Sequence, residues 1–181
     1  MDFANSADWT ADQEIVEDQD VLLEPDSLER WGERMGVAGQ PGGPEELALA
    51  RGLRGALHAI FSALAHDEEP EQSLLARLWF VYAEAVAAGS IGRQEAGRFA
   101  LEWPQDETRR VRFAVAADGV ALLADPARLA RIRRCPGRDC GWLFLDTSGR
   151  RRWCSMASCG SREKMRRMYA RKRSVAESAP S

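Results

Sequence analysis

Four cysteines carry the clearest chemistry in this sequence. Cys135, Cys140, Cys154 and Cys159 are the only cysteines in 181 residues. They form two pairs, each with four intervening residues, and 13 residues lie between the pairs. Two thiols a few residues apart can bend around one metal ion, and two such knuckles complete a tetrahedron of sulfurs about 2.3 Å from a zinc ion. Pro136-Gly137 supplies a turn in the first knuckle. The spacing is wider than the common two residues, so it points to zinc without fixing it. Inert buried thiols are one competing reading, weighed down by the polar Gly, Ser and Arg surroundings. Disulfides are another, weighed down by a reducing compartment. Four cysteines leave no open coordination position, so one structural zinc ion is expected, not a catalytic one.

Charge is distributed unevenly around these thiols. Residues 127–173 hold 15 of the 25 Lys+Arg but 3 of the 28 Asp+Glu, and the rest of the chain holds the other 10 and 25. A module near +12 therefore sits beside a body near −15, a split that the overall −3 conceals. Clustered basic residues neutralise phosphates and release counterions. Candidate nucleic-acid contacts are Arg150, Arg151 and Arg152 between the knuckles, then Arg162, Lys164, Arg166, Arg167, Arg171, Lys172 and Arg173 after them. The competing reading is a solvated basic face, or one docked on the acidic body.

The elements that must position these groups follow from periodicity. Between the knuckles, Trp142–Leu145 and Arg150–Trp153 read as two strands around an Asp146–Gly149 turn. Ser161 reads as the cap of a basic helix whose Met165, Met168 and Tyr169 share an inward face. A helix opening at Asp125-Pro126, with Leu129 and Ile132 inward, leads into Cys135. Upstream, Met1 to Asn5 reads as a short strand, and Asp8 to Asp20 as an acidic loop or loose helix. Helices are expected from Asp26 or Ser27 to Met35, from Pro44 to Ala65, and from Pro70 to Ala88. The buried side of the third takes in Leu74, Leu75, Leu78, Val81, Tyr82, Ala85 and Val86. Phe99 and Leu101 mark a strand over Gly97–Trp103, hairpinned with Ile91–Gln94. Arg110 to Leu123 fits a hairpin or a helix, with the alanine spacing favouring helix.

Other constellations are weaker. Asn5 and Arg54 are candidate pocket residues for an anionic metabolite; the competing reading makes Asn5 a strand-end or turn residue and Arg54 a helix-surface or ion-pairing one. His58 and His66 are too far apart on one helix to share a metal, and are expected at or near the surface. No phosphate loop, dinucleotide fingerprint or nucleophile–base set appears, so an enzyme is not expected. The N-terminus lacks basic and apolar leader regions, and no apolar run nears the ~20 residues of a membrane helix. A cytoplasmic protein without membrane partners is the expectation.

The run Cys140-Gly141-Trp142-Leu143-Phe144-Leu145-Asp146, then Arg151-Arg152-Trp153-Cys154-Ser155-Met156 and Cys159-Gly160-Ser161-Arg162, resembles the CGNR zinc finger. Asp2-Phe3-Ala4-Asn5-Ser6, the Leu28/Trp31 pattern and Arg51-Gly52-Leu53-Arg54-Gly55-Ala56-Leu57 resemble the ABATE domain that precedes this finger in bacterial stress-induced transcription regulators. Ser161 stands where the signature has Asn. The resemblance implies zinc, DNA binding and transcription control, and it favours helix for 110–123. The expected class is α+β: a mainly helical N-terminal domain with a small sheet (1–126), a treble-clef-like four-cysteine finger with a basic helix (127–173), and a disordered tail (174–181). The N-terminal part would sense an effector or form a homodimer, since one finger offers few base contacts. A zinc-stabilised module for protein or RNA contact is the alternative.

Overall fold

A computed structural model describes residues 1–37, 39–93 and 97–177; Gln94 of the expected hairpin and residues 178–181 of the expected tail lie outside them. The central element is helix α2 (Gly43–Ala65), opened by Pro44 with Glu45 and Glu46 in its first turn. Negative charge there suits the helix dipole. Leu47, Ala50, Leu53, Leu57, Ile60 and Phe61 are buried along it. Around it pack α1 (Ser27–Arg34), α3 (Gln72–Ala88) and α4 (Arg110–Leu123). They bring Leu28 and Trp31, Leu78, Val81 and Ala85, and Val111, Phe113, Val115, Ala116 and Leu122 into one core. A buried ion cluster ties three helices: Arg112 donates to both Glu46 oxygens (2.7 and 3.0 Å) and to Glu84 (3.2 Å). The ambiguous segment 110–123 is thus a helix. Val86, expected inward on α3, is 46% exposed.

Three antiparallel hairpins complete the fold. Strands β1 (Ala7–Trp9) and β2 (Ile15–Asp20) pair, where a loop or loose helix was expected. Met1 to Asn5 is a turn, not a strand: Asn5 N–H donates to Met1 C=O (3.1 Å) and Ser6 N–H to Phe3 C=O (3.1 Å). Those local bonds use backbone groups that a strand would offer to a partner. Strands β3 (Ser90–Arg93) and β4 (Phe99–Glu102) form the expected hairpin after α3.

The third hairpin departs most from expectation. Helix α5 spans only Pro126–Leu129, capped by Asp125, whose carboxylate accepts from Ala127 and Arg128 N–H at 3.0 Å each. The chain then extends as β5 (Ile132–Arg134) and pairs with β6 (Leu143–Leu145). Ile132 is inward as expected, but from a strand. Arg150–Trp153 forms no strand, because Asp146 Oδ1 gathers Arg150 N–H (3.2 Å) and Arg151 N–H (3.1 Å) and bends the chain. The hairpin therefore encloses the first knuckle instead of joining the two. Helix α6 (Ser161–Glu177) runs four residues into the segment expected to be a disordered tail.

Packing runs across the expected division at 126/127. Ile132 and Leu143 of the third hairpin are 1% exposed and belong to the same core as α2 and α4.

Candidate metal centre and basic helix

The four cysteines converge. Their sulfurs all lie within 4.8 Å of one another, with Cys140–Cys154 at 3.8 Å and Cys154–Cys159 at 3.6 Å. A tetrahedral Zn–S shell of about 2.3 Å radius requires edges of about 3.8 Å. Cys135, Cys140 and Cys159 are buried and Cys154 is half-buried, packed with Phe144, Trp142 and Trp153. Burial, with the neighbouring Cys135 and Cys159 sulfurs, pushes the Cys140 thiol up to about 12, and burial raises Cys154 as well. Four sulfurs this close resist ionising together unless a cation supplies the opposing charge. The donor set and geometry fit one structural zinc ion. Its bonds to Cys135, Cys140, Cys154 and Cys159 would hold the two knuckles in place, with no open position for chemistry.

The signature after the last cysteine has a mechanical reading. At Gly160 a Cβ would lie 2.8 Å from Sδ of the exposed Met156 and 3.3 Å from Trp153 Cδ1, so a side chain fits there only if the Met156 side chain swings away. Ser161 does not cap α6 as expected; its Oγ donates to Met156 C=O at 2.8 Å. The cap is Ser155, whose Oγ accepts from Ala157 and Ser158 N–H at 3.2 and 3.4 Å, because a π-helical turn (Met156–Gly160) starts the helix earlier. Arg162 donates to Cys159 Sγ at 3.1 Å. Burial pushes the Cys159 thiol up, but the Arg162 bond and the other sulfurs outweigh it and leave the thiol below its ordinary value. Arg162, expected at phosphate, thus stands behind a zinc ligand.

The other basic residues divide similarly. Arg151 packs over the Phe144 ring at 4.7 Å and donates to Trp153 C=O at 3.1 Å and to Cys154 C=O. Arg166 and Arg167 flank Glu163. Every residue from Lys164 to Arg173 is exposed, so this helix face is not docked on the acidic body. Arg150 and Arg152 are exposed too, Arg152 lying over the Trp153 ring at 5.3 Å. Met165, Met168 and Tyr169 are 44%, 39% and 58% exposed, contrary to the expected inward face. Among the described residues, no element of the body reaches that side of α6 to bury them.

The finger is clamped to the body at Gly141–Leu143. The Asn5 side chain accepts from Leu143 N–H (3.0 Å) and donates to Leu143 C=O (2.7 Å), closing the outer edge of β6. Trp142 Nε1 donates to Asp8 (2.7 Å), and Gly141 N–H to Trp9 C=O (2.7 Å). A Cβ on Gly141 would fall 2.3 Å from Thr10 O. His58 Nε2 meets Gly141 C=O at 2.9 Å, its ring stacked on Trp9 at 3.8 Å and 11°. A carbonyl only accepts, so Nε2 carries the proton. Arg54 is 1% exposed and forms a bidentate pair with Asp20 at 2.5 and 2.7 Å.

These contacts correct the pocket expectation. Asn5 pairs with Leu143 and Arg54 turns both terminal amino groups to Asp20, leaving only its buried Nε without a partner. His58 is 1% exposed, not at the surface, whereas His66 is exposed as expected. A signal was present: Arg54 and His58 follow Leu47 by seven and eleven residues, which places them on the core stripe of α2. A separate cavity of about 180 Å³ opens among Phe3, Trp31, Leu57, Phe61, Leu122 and Leu145.

Burial depresses the His58 pKa to about 4, with Arg134 and Arg54 adding to the shift and the Gly141 bond opposing it. An unfolded histidine titrates near 6.5. The neutral ring thus contributes stability that is fully present above pH 6.5 and is lost as pH falls toward 4. The full loss is about 3 kcal/mol. Zinc-loaded chain followed by urea unfolding should show this decline, and His58→Gln should flatten it between pH 6.5 and 5.

Together, the fold and the sulfur site define a zinc-finger protein whose finger is built onto a helical body. The sequence model of the CGNR zinc finger matches residues 131–172, and that of ABATE, described as "Putative stress-induced transcription regulator", matches residues 1–126. No curated protein matches the sequence significantly. The chain belongs to the ABATE family and carries a CGNR zinc finger. Among the described residues, no helix is long and apolar enough to cross a membrane.

Proposed function

We propose that the chain is a zinc-dependent, DNA-binding transcription regulator, with α6 and the Arg150–Arg152 loop as its phosphate-contacting surface. The carrying observation is the exposed basic helix: Lys164, Arg166, Arg167, Arg171, Lys172 and Arg173 all face solvent next to a zinc site that fixes the start of the helix. In this reading zinc is structural, Arg162 and Arg151 support the knuckles, and the outward cations meet the duplex. The helical body is the regulatory part, and its stress response would act through the clamp that fixes the finger's orientation. An effector in the cavity beside Leu145 would touch both halves.

The test is duplex binding by the zinc-loaded chain as salt is raised. Five to seven phosphate contacts give a log–log slope of about −4.5 to −6. Arg171→Ala with Lys172→Ala should make it shallower by about 2. Absent binding, or a flat slope, overturns the reading.

One observation favours a second reading. Met156, Met165 and Met168 line a groove with Trp153, rimmed by Arg152, Lys164, Arg167, Arg171 and Lys172. Methionine-rich surfaces adapt to apolar partners, and a basic rim suits an acidic protein helix. Under this reading the chain is a zinc-stabilised protein- or RNA-interaction module, and Met165→Ala with Met168→Ala, which leaves the charge of α6 unchanged, weakens its partner binding without changing the salt slope of duplex binding.

A further inference from the structure

Helix α3 is apolar on both of its faces. Leu78, Val81 and Ala85 point into the core. On the opposite face lie Trp79 and Phe80, 64% and 65% exposed, and Val86 at 46%, with Ala76, Ala83 and Ala87 between them. Of the 17 residues of the helix only Arg77 and Glu84 are charged, and Glu84 is turned toward Arg112. A helix that is apolar all round is ordinarily buried all round. Beside it, Leu49 is 50% exposed across a groove between α2 and α3 that Phe80, Ala48 and Gly52 also line.

We infer that this face is the contact between two copies of the chain, related by a twofold axis that brings α3 against α3. Charge selects the occupant. The body carries a strong negative excess, so two bodies brought together repel over most of their surfaces. The outer face of α3 is a neutral patch on that body, where two bodies can approach without that repulsion. A strongly acidic or basic partner finds little countercharge there beyond Arg77, since Glu84 and Arg112 in the adjoining groove are paired with each other. Size agrees. The helix is about 25 Å long. Its two exposed rings present roughly 250 Å². Leu49, Val86 and the alanines extend the face toward the ~800 Å² per partner of a standard interface. The alanines let two helix backbones approach to ~8–10 Å while the rings fill the flanks. Twofold symmetry sets each copy's Trp79 and Phe80 against the α2–α3 face of the other. This dimer does not depend on the DNA reading, since it uses no residue of the finger.

Sedimentation equilibrium of the zinc-loaded chain tests it. Twice the chain mass is expected at about 10 μM chain. Trp79→Glu and Phe80→Glu should each raise the dimer Kd at least ~100-fold, with far-UV dichroism and zinc content unchanged. Ile91→Glu, on another exposed apolar side chain, should leave the dimer intact. A wild-type chain that stays monomeric at every concentration overturns the inference, as does a dimer that survives both α3 substitutions. If a variant loses helicity, hydrogen exchange of the wild type decides: protection of α3 amides that rises with concentration supports the interface, and concentration-independent protection overturns it.

Discussion

Removing zinc should melt the body as well as the finger. Chelation, or Cys135→Ser, is expected to lower the melting temperature of the helical core by at least ~10 °C and to abolish a single cooperative transition. The reason lies in where the core ends. Ile132 and Leu143 belong to the cluster around α2, yet they stand on the strands that enclose the first knuckle. Without the metal, the four sulfurs lose the charge that holds them together, and the Cys135–Cys140 turn loses its geometry. Structural zinc is worth about 10–16 kcal/mol in isolated fingers, so little of that local fold survives its loss. Once β6 frays, the Asn5 pairing with Leu143, the Trp142–Asp8 bond and the His58–Gly141 bond go with it. Each hydrogen bond contributes about 1 kcal/mol. Uncovering two core aliphatic side chains costs about 1.5–3 kcal/mol each. For a chain of this size 1 kcal/mol moves the midpoint by about 2–4 °C. Calorimetry with and without chelator, alongside zinc analysis giving one ion per chain, measures the effect. A body transition that does not move would mean that the finger folds independently and that the clamp is incidental.

How far the sequence foretold this depends on the range of the forces at each element. Helix α2 was legible because Leu47, Leu53, Leu57 and Phe61 repeat at helical spacing and Pro44 marks its start. The cysteines were legible because sulfur ligation imposes pairs. The β1–β2 hairpin was hidden: four of its nine strand residues are exposed, and its anchor is Trp9, held by His58 from α2 and by Gly141 from the finger. No local pattern encodes contacts made at such separation. Strand β5 was misread for a similar reason. Asp125-Pro126 signals a helix start correctly, but pairing with Leu143–Leu145 overrides the helix three residues later. At α6 the methionine stripe has the period of a buried face. Periodicity reports that a face is apolar, not what covers it, and here the body does not reach it. The same lesson runs the other way at Arg54 and His58, polar residues on a stripe that the core does bury.

Arg54→Ala should destabilise the free chain by about 3–5 kcal/mol, measurable by urea unfolding of the zinc-loaded protein with no ligand added. Arg54 and Asp20 are 1% and 8% exposed at the side chain, and they join α2 to the end of β2. Asp20 also accepts from Leu22 N–H at 2.8 Å, while Arg51 holds Leu22 C=O at 2.6 Å, so the pair fixes the chain's path into α1. Truncating the guanidinium leaves a buried carboxylate without its counterion, which is the costly half of such a pair. Burial pushes the Asp20 carboxyl up, but Arg54, the Leu22 N–H and Arg51 outweigh it and hold the pKa below the usual carboxylate range. The wild-type contribution is therefore present above about pH 4 and lost as pH falls through the depressed value. In Arg54→Ala the Leu22 N–H and Arg51 remain, but the main group opposing burial is gone, so the Asp20 pKa rises relative to the wild type and the variant loses less stability as the carboxyl takes up a proton. The gap between the two proteins should be widest near neutral pH and narrow toward pH 4. That window overlaps the His58 decline, and Arg54 itself helps to depress His58, so the difference is read in a His58→Gln background, where that titration is absent. Replacing both partners, Arg54→Met with Asp20→Leu, should restore most of the loss, because an apolar pair of similar volume leaves no charge to solvate. An arginine kept for an anionic ligand behaves otherwise: its removal leaves the ligand-free chain as stable as before, at every pH.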